Sequence, residues 1–182
     1  MNTLYMICGL YIFINIASTD ERNFRVHFDE FAMKYMVPDV FEKMDCQLYY
    51  INNRSYVNAE MILKRNIGEI NVRASMDFWK TNNRQKKVKL YDVQVDGCSF
   101  LRSVHKNKLF NIYVKSFKKH ANVNLVCPLK ANFSYKLQDW YLDELDLPPF
   151  SPIGQFRTVT KYYTQNRLAL NLVTSGEIVS TK

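Results

Sequence analysis

From Glu69 to Phe78 the chain alternates without a break. Ile70, Val72, Ala74, Met76 and Phe78 are apolar, and Glu69, Asn71, Arg73, Ser75 and Asp77 between them are polar. Successive side chains of a strand point to opposite faces, so this run of period two defines a strand with one dry and one wet face. A strand wet on one side belongs to a sheet covered on one face only, as in a sandwich. Strands of a parallel α/β core are buried on both faces and read as continuous apolar runs.

The rest of the chain supplies partners for that strand. Phe24 to Asp29 alternates as an opening strand, and Pro38 interrupts regular structure near Val37. Met44 to Ile51 reads as a strand with Cys46, Leu48 and Tyr50 on one side, Asn52 to Ser55 as a turn, and Tyr56 to Leu63 as a further strand. Lys80 to Gln85 is a polar hairpin turn from which Val88 to Val95 returns antiparallel. Leu129, Ala131, Phe133, Tyr135 and Leu137 alternate again, and Trp140 to Pro152 is irregular and carries the acidic cluster Asp143, Glu144 and Asp146, read as a solvated turn. Gln155 to Tyr163 and Leu168 to Val173 close the chain as two strands joined through Thr164 to Arg167. This gives seven or eight strands. The 12 Tyr and 12 Phe, against only 5 Gly and 5 Pro, suit sheets. The expected fold class is mainly β, an immunoglobulin-like antiparallel β-sandwich.

Between Cys98 and Cys127 the period changes. Val104, Leu109, Ile112, Tyr113 and Phe117 fall at helical spacing, and Lys106, Lys108, Lys115, Lys118 and Lys119 occupy the rest of the wheel. One helical excursion is expected here. Two readings stay open: a helix packed on the sandwich with solvated lysines, or a basic face that meets an anionic surface through Lys115, Lys118 and Lys119.

The first 18 residues carry no charged side chain, and Leu4 to Ile16 is an apolar run of signal-peptide length followed by small residues at Ala17 and Ser18. Residues 1–18 are therefore expected to be a signal peptide and residues 19–182 a single secreted domain. Removing the leader takes Cys8 away and leaves Cys46, Cys98 and Cys127, which is one pair plus one unpaired thiol in an oxidising compartment. A bond between Cys98 and Cys127 would close a loop of about 30 residues and contribute roughly 3.5 kcal/mol by chain entropy. Asn53-Arg54-Ser55 and Asn132-Phe133-Ser134 are glycosylation sequons, which place candidate glycans on Asn53 and Asn132. The net charge of +8 points, for a secreted chain, to anionic surfaces rather than nucleic acid.

Several short motifs carry a resemblance. They are Cys46-Gln47-Leu48 followed by Asn53-Arg54-Ser55-Tyr56, then Tyr91-Asp92-Val93 with Asp96-Gly97-Cys98-Ser99-Phe100-Leu101, then Asn122-Val123-Asn124 ahead of Cys127-Pro128, and last Pro152-Ile153-Gly154-Gln155-Phe156-Arg157. In order and spacing the sequence resembles the insect family of secreted DUF1091 (DM8) proteins, which are related to the MD-2-related lipid-recognition (ML) superfamily. Phe156 stands where the family's last motif has Tyr. The family's further cysteine, about ten residues before Cys46 and near Tyr35 or Met36, is absent here. The resemblance thus implies an unpaired Cys46 and a Cys98–Cys127 disulfide, with pairing of Cys46 to either of the others as the alternative.

The same resemblance implies an ML-type sandwich that binds lipid between its sheets. The inward rows give Ile70, Val72, Met76, Phe78, Phe133, Tyr135 and Leu170 as the expected ligand-binding residues. It also offers a second reading through the family's chemosensory B-type members: an extracellular accessory protein acting on a membrane receptor or ion channel. No catalytic motif is present: there is no G-x-S-x-G, no glycine-rich phosphate loop and no H-E-x-x-H. His27, His105 and His120 are scattered, with no metal-ligand spacing. The expectation is a non-enzymatic protein with no cofactor and no metal.

Overall fold

The computed structural model describes residues 22–81, 86–102 and 106–181. The leader expected at residues 1–18, most of the turn before Val88, and His105 lie outside the described residues. The alternating stretch forms β4 (Asn71–Trp79). Around it lie β1 (Phe24–Met36), β2 (Phe41–Ile51), β3 (Arg54–Leu63), β5 (Val88–Asp96), β6 (Ser134–Trp140), β7 (Gly154–Thr164) and β8 (Arg167–Ser180). All pairings are antiparallel. One sheet has the order β1-β8-β7-β4-β5 and the other β2-β3-β6. The fold is the mainly β, two-sheet sandwich that the alternation predicts.

Two tight hairpins have a common cause. Asn52 and Asn53 both take positive φ, as do Gln165 and Asn166, and their flanking residues Ile51–Arg54 and Thr164–Arg167 are paired. Positive φ at both central residues is the turn whose twist matches that of the strands, and asparagine tolerates it better than most residues do.

Because the ladders are in register, inward side chains line up across strands. In the five-stranded sheet one row is Phe78, Phe156, Gly176 and Phe28. The next is Tyr91, Met76, Thr158, Thr174 and Phe31. Then come Val93, Ala74, Thr160, Leu172 and Met33, and finally Val95, Val72, Tyr162, Leu170 and Met36. The smaller sheet answers with Leu48, Val57 and Trp140, with Cys46, Ala59 and Leu137, and with Met44, Met61 and Tyr135. Gly176 is required in the first row: a Cβ there would overlap the His27 carbonyl oxygen and sit 2.8 Å from Phe156 Cζ. Its bare backbone lets Phe28 and Phe156 meet edge to face at 5.8 Å, with Trp140 stacked on Phe28 at 5.0 Å. This end of the sandwich is a packed aromatic plug.

The helical excursion is two helices, α1 (Gly97–Arg102) and α2 (Lys108–His120), where the sequence predicts one. The Asp96 carboxylate accepts from the Ser99 N–H at the start of α1, and Asn107 caps α2 by accepting from the Phe110 N–H. The Cys98–Cys127 disulfide spans the excursion, with Cα atoms 5.5 Å apart, and Cys46 is free. Here α1 packs on β4 and β5 while α2 packs on β6, so the pair runs from the edge of one sheet to the edge of the other.

The acidic stretch after β6 is not the solvated turn its composition predicts. Glu144 is buried. It accepts from the Val26 N–H at 3.2 Å and pairs with Arg54 at 2.7 Å, and the Arg54 guanidinium lies over the Tyr141 ring. Burial of a carboxylate is tolerated because both a cation and a backbone donor meet it.

Candidate functional site

The two sheets do not close on each other along their whole length. Beyond the aromatic plug they enclose a cavity of about 300 Å³. The larger sheet contributes Val72, Thr160, Tyr162, Leu170 and Leu172 to its wall, and the smaller sheet Met44, Cys46, Ala59, Met61, Tyr135 and Leu137. The helices supply Phe100 from α1 and Phe110, Tyr113, Val114 and Phe117 from α2. The far end is closed by the cluster of Val40, Phe41, Leu63, Ile67 and Leu129.

The gap has a local cause. Cys46 and Ala59 are paired neighbours on β2 and β3 and both line the cavity, and Thr160 lines it from β7. Small side chains thus line the space from both sheets and leave it unfilled. Met44 and Met61, flexible and polarisable, line the same space and can adapt to what enters it.

The helices hold the open side. Ser116 of α2 is buried, accepts from Trp140 Nε1 at 2.9 Å and donates to the Tyr141 carbonyl at 3.0 Å. Phe117 stacks on Trp140 at 4.3 Å. Lys118 donates to the Leu101 carbonyl at 2.6 Å, which ties α2 to α1. Lys115 and Lys119 are exposed, so of the three lysines expected to form a basic face one is committed to internal structure.

Four of the expected ligand-binding residues come together here: Ile70, Val72, Tyr135 and Leu170 line the cavity. Three do not. Phe78 points inward but belongs to the aromatic plug, and Met76 packs between that plug and the cluster under α1. Phe133 corrects the sequence reading more sharply. It precedes β6 in a turn made by Asn132 at positive φ, stands exposed, and packs its ring edge to face against Tyr135 without lining the cavity itself. The alternation from Leu129 continues through a segment that is not strand until Ser134. The sequence reading missed the helix-borne wall and the Cys46–Ala59 pair. The apolar stripe of α2 was visible, but which small residues face each other depends on strand register, which a single sequence does not display.

The chemistry of the wall is neutral. Among the described residues it holds no carboxylate and no histidine, and its one charged side chain, Lys136, is exposed at the rim. Burial pushes the Cys46 thiol up to about 11 and the Tyr162 phenol to about 12, and it raises Tyr91 and Tyr113 further still. All four side chains are therefore uncharged at neutral pH. Among the described residues no three His, Cys, Asp or Glu side chains converge as a metal site would require, and no helix is long and apolar enough to cross a membrane. Asn53 and Asn132 are both exposed.

Against known proteins, residues 73–158 match the family described as "Protein of unknown function (DUF1091)". That match bears out the resemblance drawn from the motifs. A comparison with curated proteins gave no significant match. Among solved structures, chicken MD-1 complexed with lipid IVa aligns at 9% identity with a TM-score of 0.41, covering 86% of this chain and 98% of that one. A Niemann-Pick type C2 protein from the Japanese carpenter ant aligns at 11% identity with a TM-score of 0.31, covering 84% of this chain and 92% of the other.

Proposed function

We propose that this chain, whose residues 73–158 match DUF1091, is a secreted, non-enzymatic carrier or sensor that holds one small hydrophobic ligand, a lipid or semiochemical, between its two sheets. The observation that carries this reading is the cavity of about 300 Å³ with its almost wholly apolar wall. Left empty, a void of that size would forfeit about 7 kcal/mol at the usual cost per unit volume. That is comparable to the whole stability of a typical domain, about 5–15 kcal/mol. An apolar occupant recovers that loss by restoring contacts on both sides of the gap. The described wall carries no carboxylate or imidazole, and the Asp45 carboxylate beside Cys46 helps keep its thiol protonated, which supports a binding role. In a secreted chain the exposed Asn53 and Asn132 would carry N-linked glycans.

The full chain, expressed through a secretory pathway and purified without detergent, should release about one equivalent of an apolar molecule into an organic extract analysed by mass spectrometry. A clean extract, combined with no thermal shift across a panel of neutral and acidic lipids, would count decisively against the proposal.

A further inference from the structure

The wall is apolar in area but not in its middle. Tyr91 and Tyr162 rise from the inner face of the larger sheet, and Tyr113 reaches in from α2 opposite them. The three phenols lie close enough for Tyr91 and Tyr162 to disfavour ionisation of Tyr113, and for Tyr162 to do the same to Tyr91. Among the described residues the Tyr162 hydroxyl has no hydrogen-bond partner in the protein. Beside them, Thr158 is 2% exposed; its hydroxyl makes no hydrogen bond of good geometry but lies close enough to Tyr91 to favour the phenolate, as Thr174 does for Tyr113. Buried hydroxyls left unpaired are costly, and native structures rarely keep them without reason.

We infer that the ligand is neutral and carries an oxygen acceptor, as a ketone, ester or alcohol does, and that this oxygen sits deep against the Tyr91, Tyr113 and Tyr162 hydroxyls rather than at the rim. The inference rests on the binding role proposed above and specifies its ligand. Burial keeps all three phenols protonated, so each is a donor at any physiological pH. A carboxylate placed among them would lose its hydration and find no cation. The wall's single charged group, Lys136, is at the exposed rim and lies 3.9 Å from Glu60. A plain hydrocarbon would leave the Tyr162 hydroxyl unpaired, whereas Tyr91 and Tyr113 have Thr158 and Thr174 beside them. The volume is roughly twice the 150 Å³ that admits a benzene ring, which suits a chain of about a dozen carbons.

The test is displacement of a bound fluorescent probe, N-phenyl-1-naphthylamine, from the full-length secreted protein by dodecane, 1-dodecanol, 2-dodecanone and dodecanoate at neutral pH. The ketone and alcohol should act at roughly 5- to 10-fold lower concentration than dodecane, the ratio set by one net hydrogen bond. Dodecanoate should be weaker than the ketone. Tyr162→Phe keeps the ring and removes a hydroxyl that bonds nothing in the protein; it should shrink the ketone's advantage over dodecane to about twofold. Equal displacement by dodecane and the ketone overturns the inference. So does a preference for dodecanoate that Lys136→Gln abolishes, since the polar end would then sit at the rim. If neither the probe nor any of the four compounds binds, the cavity itself is not a binding site and both readings fall together.

Discussion

Cys46 faces the cavity from β2, and burial, helped by the neighbouring Asp45 carboxylate, pushes its thiol up to about 11. The reactive species is the thiolate, so at pH 8 iodoacetamide should alkylate Cys46 on the order of 100-fold more slowly than a free thiol. The rate should keep climbing up to about pH 11 and fall when the cavity is occupied; a mass-spectrometric time course with and without ligand reads all three. Away from the cavity, two other residues carry stability. Gly176→Ala would drive a methyl into the His27 carbonyl and the Phe156 ring, and should cost about 3 kcal/mol in urea denaturation. Glu144→Ala leaves Arg54 without its anion and the Val26 N–H without its acceptor, and should cost about 3 kcal/mol as well. Glu144→Gln keeps an oxygen for Val26 and should recover part of that loss. Equal losses for the two Glu144 variants would assign the whole effect to the charge.

At the scale of elements, the α1–α2 pair closes one open side of the sandwich, and the disulfide staples its two ends. Replacing Cys98 and Cys127 together by Ser should lower stability by about 3.5 kcal/mol, the closure entropy of a loop with a sequence separation of 29. Hydrogen exchange should quicken first in α1 and α2 while the rows around Phe156 and Trp140 stay protected. The strands were legible wherever one face is wet and the apolar alternation runs on, as in β4, β5 and β7. They were read too short where the pattern breaks. Register shifts between Phe28 and Glu30 and between Met33 and Tyr35 hide the second half of β1. In β8 the inward positions after Val173 are Thr174, Gly176 and Ile178, and a threonine and a glycine do not look like core in a sequence. A six-residue α1 held by one Asp96 cap is too short to show a period. Glu144 looked solvated because its partner, Arg54, lies 90 residues away.

The molecule as a whole is a sandwich packed hard at one end and held apart beyond it. The packed end was predictable in outline, since aromatic residues at inward positions must meet somewhere. The hollow was not, because periodicity tells which face is buried but says nothing of the distance to the opposite face. Its cause, the small residues Cys46, Ala59 and Thr160 on the two walls, emerges only once the strands are paired. Filling that level should therefore abolish binding without unfolding the protein. The decisive measurement is a fluorescence titration of the wild type and Ala59→Phe with N-phenyl-1-naphthylamine, with circular dichroism confirming that both are folded. The account predicts saturable one-to-one binding by the wild type and at least a tenfold weakening in the variant, corresponding to about 1.4 kcal/mol or more. Identical titrations for the two folded proteins would place the probe elsewhere and contradict the claim that the space between the sheets is the binding site.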